Sequence, residues 1–126
     1  MNFTKENYDS IVSIQDTDEA FDNFMDVFEN YTKEFQNLPN DYFQNEEKIS
    51  QFRESSKNIF KSLKHCITMS EEDRNLLDYK ELEKYNTVLT NVDIIIDNVD
   101  NADLNDKESE LSKALNIVFS HFEMMN

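Results

Sequence analysis

The side chains equipped to bind metal, move protons or attack a substrate are few in kind: two histidines, His65 and His121, one cysteine, Cys66, and 27 carboxylates. A di-metal carboxylate bundle needs a Glu-x-x-His pair on two of its helices. The residues three before the histidines are Ser62 and Val118, so that pattern is absent. His65 and Cys66 are neighbours, and adjacent residues on a helix point about 100° apart, which suits neither as the other's base or nucleophile. Cys66 falls instead on an apolar stripe, where a free thiol serves as a small core residue. The tract from Asp97 to Glu108 superficially resembles a calcium loop. An EF-hand needs oxygen ligands at alternate positions and glycine at the sixth. Counted from Asp97 the third position is Val99; counted from Asn101 the sixth is Asp106 and the twelfth Ser112, so neither register works. Pairs of carboxylates arise by number alone among 27 acids and point to no reaction. No enzyme activity, cofactor or metal site is expected.

What the acids do show is grouping. Residues 1–48 hold 12 acids and 3 bases, residues 85–110 hold 7 and 1, while residues 49–67 hold 1 acid and 4 bases. Glu19, Asp22, Asp26 and Glu29 follow one another at steps of three and four, and so do Asp93, Asp97 and Asp100, with Asp103 and Asp106 as a possible continuation. On a helix such residues lie about 5–6 Å apart at Cβ and form a row. That is comparable to the spacing of phosphates along a nucleic-acid strand, so a carboxylate row can imitate a polyanion. Like charges four apart cost a helix a few tenths of a kcal/mol each, and a function would explain why the cost is kept. The solvated face of any amphipathic helix supplies the competing explanation. Arg53, Lys57, Lys61 and Lys64 form a basic counter-stripe at steps of four, four and three. Its expected role is to balance an acidic neighbour helix inside the fold, with an acidic patch on a partner as the alternative.

The elements that would carry these rows can be read from composition and period. The chain has 126 residues and no glycine, which excludes phosphate-cradling and dinucleotide-binding glycine loops and the G-x-S-x-G nucleophile elbow. The same absence argues against tight β-hairpins, whose turns need positive φ. Ten Phe and five Tyr recur at helical spacing, so the net charge of -15 belongs to a folded domain and not to a disordered chain. One domain spanning residues 1–126 is expected. The N-terminus has no basic segment followed by an apolar one, and the longest aliphatic run is Ile94-Ile95-Ile96. With a single cysteine, these features predict a cytoplasmic protein with neither secretion signal nor membrane span.

A short first helix is expected after Thr4 as N-cap, with Phe3 stapled onto Tyr8. The second starts at Asp16 and carries Phe21, Phe24, Met25, Phe28, Tyr31, Phe35 and Leu38 until Pro39 stops it. A third begins near Asn40 or Asp41, with a stripe through Phe43, Ile49, Phe52, Ile59, Leu63, Cys66 and Ile67. The small pair Ser55 and Ser56 in its middle marks a close helix approach or a bend. Ser70 with Asp73 reads as the N-cap of a fourth helix, whose stripe runs through Leu76, Leu77, Leu82, Tyr85, Leu89, Val92, Ile96 and Val99. The turn-prone tract after Asp97 ends it, and a last helix carries Leu111, Leu115, Val118, Phe119, Phe122 and Met125. Four long amphipathic helices with short polar connections predict an all-α, antiparallel bundle with a short N-terminal helix.

In size, acidity, helical build and lack of catalytic motifs, the chain resembles small proteins that inhibit nucleic-acid enzymes. Those include phage anti-defence proteins such as anti-CRISPRs, DNA-mimic anti-restriction proteins and immunity proteins that neutralise nuclease toxins. The resemblance is one of physical character and implies a stoichiometric inhibitor with a basic, nucleic-acid-binding protein as partner. Direct contact with nucleic acid or anionic membrane is disfavoured by the charge. The expected contact residues are Glu19, Asp22, Asp26, Glu29, Asp93, Asp97 and Asp100. The alternative is a helical interaction module that binds or self-associates through exposed Tyr42, Tyr79, Met124 and Met125.

Overall fold

Helix starts here are written in short polar side chains. The computed structural model describes residues 2–73 and 79–125. Thr4 caps α1 (Lys5–Val12) in a reciprocal box: Asn7 N–H donates to Thr4 Oγ1 at 3.3 Å and Thr4 N–H donates to Asn7 Oδ1 at 3.0 Å. Asp16 caps α2 (Thr17–Gln36), its carboxylate accepting from Glu19 N–H at 2.9 Å. Without glycine, α1 is closed by Ser13, and α2 and α4 end on asparagine. Asn37 donates its backbone N–H to the Lys33 and Glu34 carbonyls and its side-chain amide to Lys33 O at 2.8 Å. At the end of α4 (Tyr79–Asn98) the Asn98 amide reaches Ile94 O at 2.7 Å. These bonds occupy carbonyls that a left-handed glycine cap would otherwise serve, and no described residue has positive φ.

Pro39 separates α2 from the next helix, but that helix starts later than the sequence suggests. Tyr42–Gln44 form a single 3₁₀ turn, and α3 begins only at Glu46 (Glu46–Asp73). Two interactions set this register. Asn45 is the true cap, its Oδ1 accepting from Glu47 N–H at 2.9 Å and Lys48 N–H at 3.2 Å. Phe43 meanwhile turns its ring edge-on to Phe52, with centroids 5.0 Å apart, which tethers the turn to the second turn of the helix. The other boundary error is at Ser70. It is buried inside α3, three residues before that helix's last described residue, and does not start a new helix there. The buried face Leu63, Cys66, Ile67, Ser70 continues at steps of three and four, and the helix continues with it. Leu76 and Leu77, and the side chains of Tyr79, Leu82, Met124 and Met125, lie outside the described residues.

The described residues contain five α-helices and no strand, forming a helical bundle with a short N-terminal helix. Contacts run antiparallel. Along α2 and α3, Phe28 meets Phe60, Tyr31 meets Ser56 and Phe35 meets Phe52. Between α3 and α4, Lys64 meets Asp93, and Lys57 meets Asp100 in the turn just past the end of α4. The helix α5 (Glu110–Met125) packs against α4 and touches α2 through rings. With α1, α2 and α4 all against it, α3 is the central element. That explains why Phe60, which is off the stripe read from the sequence, is fully buried alongside Ile59. A single stripe describes a helix with one neighbouring layer, and α3 has more than one.

The serine pair in α3 has specific work. Ser55 Oγ accepts the backbone N–H of Phe3 at 3.1 Å, while Asn58 donates to the Phe3 carbonyl at 3.2 Å. This clamps the start of the chain and seats the Phe3 ring in the core. Ser56 Oγ bonds the Tyr31 hydroxyl at 2.7 Å, both groups buried. The small side chains thus admit a neighbouring segment on one side and a phenol on the other. Burial pushes the Tyr31 phenol far above its ordinary range, the Ser56 bond offsetting only part of that.

Candidate partner-binding surface

The acidic row of α2 lies on the face opposite its buried stripe because both obey the same period. Ala20, Phe24, Phe28 and Tyr31 go inward, and Glu19, Asp22, Asp26 and Glu29 are all exposed. Glu29 pairs with Lys33 one turn on, at 3.3 Å. Glu19, Asp22 and Asp26 have no ion pair among the described residues. Beside this row, α2 and α5 meet through aromatic rings. Between them lies a groove of about 550 Å³. Phe28, Phe119 and Phe122 line it, with ring centroids 5.9 Å apart for Phe28–Phe119 and 5.1 Å for Phe28–Phe122. Asp26, Glu29 and Lys33 line the same groove. Asp26 and Glu29 thus stand at the rim of a groove whose aromatic floor is nearly closed to solvent, Phe28, Phe119 and Phe122 all counting among the buried core.

The row on α4 is used differently. Lys64 Nζ contacts Asp93 Oδ1 at 2.7 Å, and Lys57 contacts Asp100. Asp97 stands between them and is exposed, as is Lys61 on α3. The antiparallel register thus lays the basic counter-stripe along the acidic row, and two of its rungs are closed. These pairs are about half exposed, where an ion pair contributes about 0–1 kcal/mol. Their importance is that they neutralise Asp93 and Asp100 locally. As a helical row this one holds only for Asp93 and Asp97: Asp100 lies in the turn just past the end of α4 at Asn98, and Asp103 and Asp106 lie in the connection beyond. Their carboxylates there accept backbone N–H groups two residues on, from Asn105 and Glu108 at 2.9 and 3.0 Å.

Tyr42, expected as an exposed anchor, is buried. Its ring meets Phe43 edge-on at 5.2 Å and has Lys48 Nζ 5.6 Å from its centroid. Burial raises its phenol pKa, and the Glu34 carboxylate adds to the shift. Among the described residues the exposed large hydrophobic side chain is instead Ile117 on α5, at 44%. It shares a shallow surface hollow with His121, whose imidazole is held below its usual pKa by burial and, secondarily, by Lys84.

The groups singled out for chemistry differ in their surroundings. Cys66 is fully buried, and burial pushes its thiol up to about 11. His65 is only partly buried, though its Nε2 has no hydrogen-bond partner among the described residues. No three or more His, Cys, Asp or Glu among the described residues come together in a way that could hold a metal ion. No described helix is long and apolar enough to cross a membrane.

The aromatic lining of the α2–α5 groove was legible only as core, since the period that buries Phe28 and Phe119 does not reveal that a groove lies between the two helices. No known protein family, curated protein or solved structure matches the chain.

Proposed function

We propose that the chain is a stoichiometric, non-enzymatic inhibitor that docks on the basic nucleic-acid-binding surface of a target protein and blocks access to it. Anti-CRISPRs, DNA mimics and nuclease-immunity proteins act in this general manner. One observation carries the reading: Glu19, Asp22 and Asp26 form an exposed row with no ion pair among the described residues, and Asp26 borders a groove floored by Phe28, Phe119 and Phe122. A row of carboxylates steers a basic surface into contact, and an apolar patch next to it supplies the short-range selectivity that charge lacks. The α2 face leads this reading. Asp93, Asp97 and Asp100 are secondary, because lysines of α3 already engage two of the three.

The test is capture of partners from host lysate by the wild-type chain and by the Asp22→Lys/Asp26→Lys variant, at low and high salt. A nucleic-acid-binding protein retained at low salt, and lost with either high salt or the variant, is the expected result. A partner indifferent to both changes would overturn the proposal. It would favour a second reading, an interaction module using the α5 face around Ile117, whose apolar contact would respond little to salt.

A further inference from the structure

Lys5 and Tyr8 of α1 face a stretch of α3 across a cleft of about 440 Å³, within the size range of small-molecule sites. Arg53, Lys57 and Lys61 line it from α3, so four of the chain's 12 basic residues converge there. Two acids also line it, Glu54 and Asp100, and Asp100 is tied to Lys57. The cleft is thus locally cationic on a chain of net charge -15. Lys5 and Lys61 are exposed and have no ion pair among the described residues, so internal charge balancing does not account for them. Arg53 donates through Nη2 to the Ala102 carbonyl at 3.3 Å, which fixes its guanidinium, while its buried Nε has no acceptor among the described residues.

We propose that this cleft binds a small organic phosphate of nucleotide size, with Arg53, Lys61 and Lys5 holding the phosphate groups and Tyr8 walling the organic part. Guanidinium and ammonium groups converging on one hollow are the recognition chemistry of phosphate. The charge of the whole molecule selects small ligands over large ones. At physiological salt the field of an exposed charge decays over about 8 Å, so a ligand held inside the cleft responds chiefly to the cations around it. A polynucleotide extending past the rim meets the acidic surface and is repelled. The site is formed by α1 and α3 and does not depend on the α2–α5 surface, so it stands or falls separately from the inhibitor reading.

Isothermal titration calorimetry of the full chain with ADP, and separately with inorganic phosphate, tests the proposal. ADP is expected to bind at one site. Lys61→Glu and Lys5→Glu, both at exposed positions where the fold tolerates change, should each weaken it about tenfold or more, the scale of one lost charge-assisted contact. Arg53→Lys keeps the charge but loses the planar fork, and should weaken ADP; since it also gives up the bond to the Ala102 carbonyl, a lower melting temperature is expected with it, and the two exposed lysine variants carry the test. Inorganic phosphate should compete with ADP, more weakly for want of the organic part. Absence of ADP binding, or ADP binding indifferent to both Lys→Glu changes, would overturn the assignment.

Discussion

Cys66 shows at the scale of one residue how burial, more than neighbours, sets chemistry in this fold. Its thiol has no accessible surface, and burial alone lifts it from 9.0 to about 11. A thiolate is the reactive form, so the folded chain should be inert towards iodoacetamide at mildly alkaline pH and react only as it opens. The rate of alkylation then measures unfolding, and rapid modification of the native chain would contradict the burial. The same shift has a sign in stability. Below pH 9.0 the thiol is neutral in both states and its contribution is complete. Above that the unfolded thiol ionises while the folded one does not, so stability falls as the pH climbs towards 11. Tyr31, raised in the same sense by burial, extends the loss at still higher pH. Urea midpoints should therefore decline on the alkaline side, and less steeply in Cys66→Ala.

Between helices, the two acidic rows look alike in sequence and differ in what surrounds them. Asp22 and Asp26 are one turn apart with no ion pair among the described residues, a repulsive arrangement worth about a few tenths of a kcal/mol. Asp93 and Asp100 each meet a lysine of α3. Asp22→Asn/Asp26→Asn should accordingly leave the melting temperature unchanged or raise it slightly, while Asp93→Asn/Asp100→Asn should lower it by an amount corresponding to about 1 kcal/mol or less. Differential scanning calorimetry of the two double variants reads the contrast, and equal losses from both would remove the distinction drawn between the rows. The sequence carries the rows, the helical stripes and the caps at Thr4 and Asp16, because each depends on residues three or four apart. It does not carry the start of α3, which Asn45 and the Phe43–Phe52 contact decide, or the continuation through Ser70. Nor does it reveal that Lys5 comes to lie beside Arg53 and Lys61, a juxtaposition made by docking α1 on α3. Local period determines a helix and its faces, whereas contacts between helices determine which face becomes a groove or a cleft.

For the molecule as a whole, one quantity links fold and function: 27 acids against 12 bases. In the compact state these acids repel one another, so the charge that would attract a basic partner also opposes folding. Added salt acts on both terms through the same screening, whose range shrinks from about 30 Å at 0.01 M to about 10 Å at 0.1 M. The two consequences have opposite signs. The isolated chain should melt at higher temperature as salt rises over that range, since screening relieves self-repulsion and the few exposed ion pairs lose little. Complex formation with a basic target should weaken over the same range, mainly through slower association, because steering is a long-range effect. Thermal melts and stopped-flow association rates measured in the same buffers would display the crossing. Within the proposed mechanism, Asp22→Lys/Asp26→Lys should flatten both dependences together, raising the melting temperature at low salt while slowing association there. A variant that slowed association yet left its salt dependence unchanged would place the loss in the aromatic groove and take the polyanion mimicry away from the α2 row.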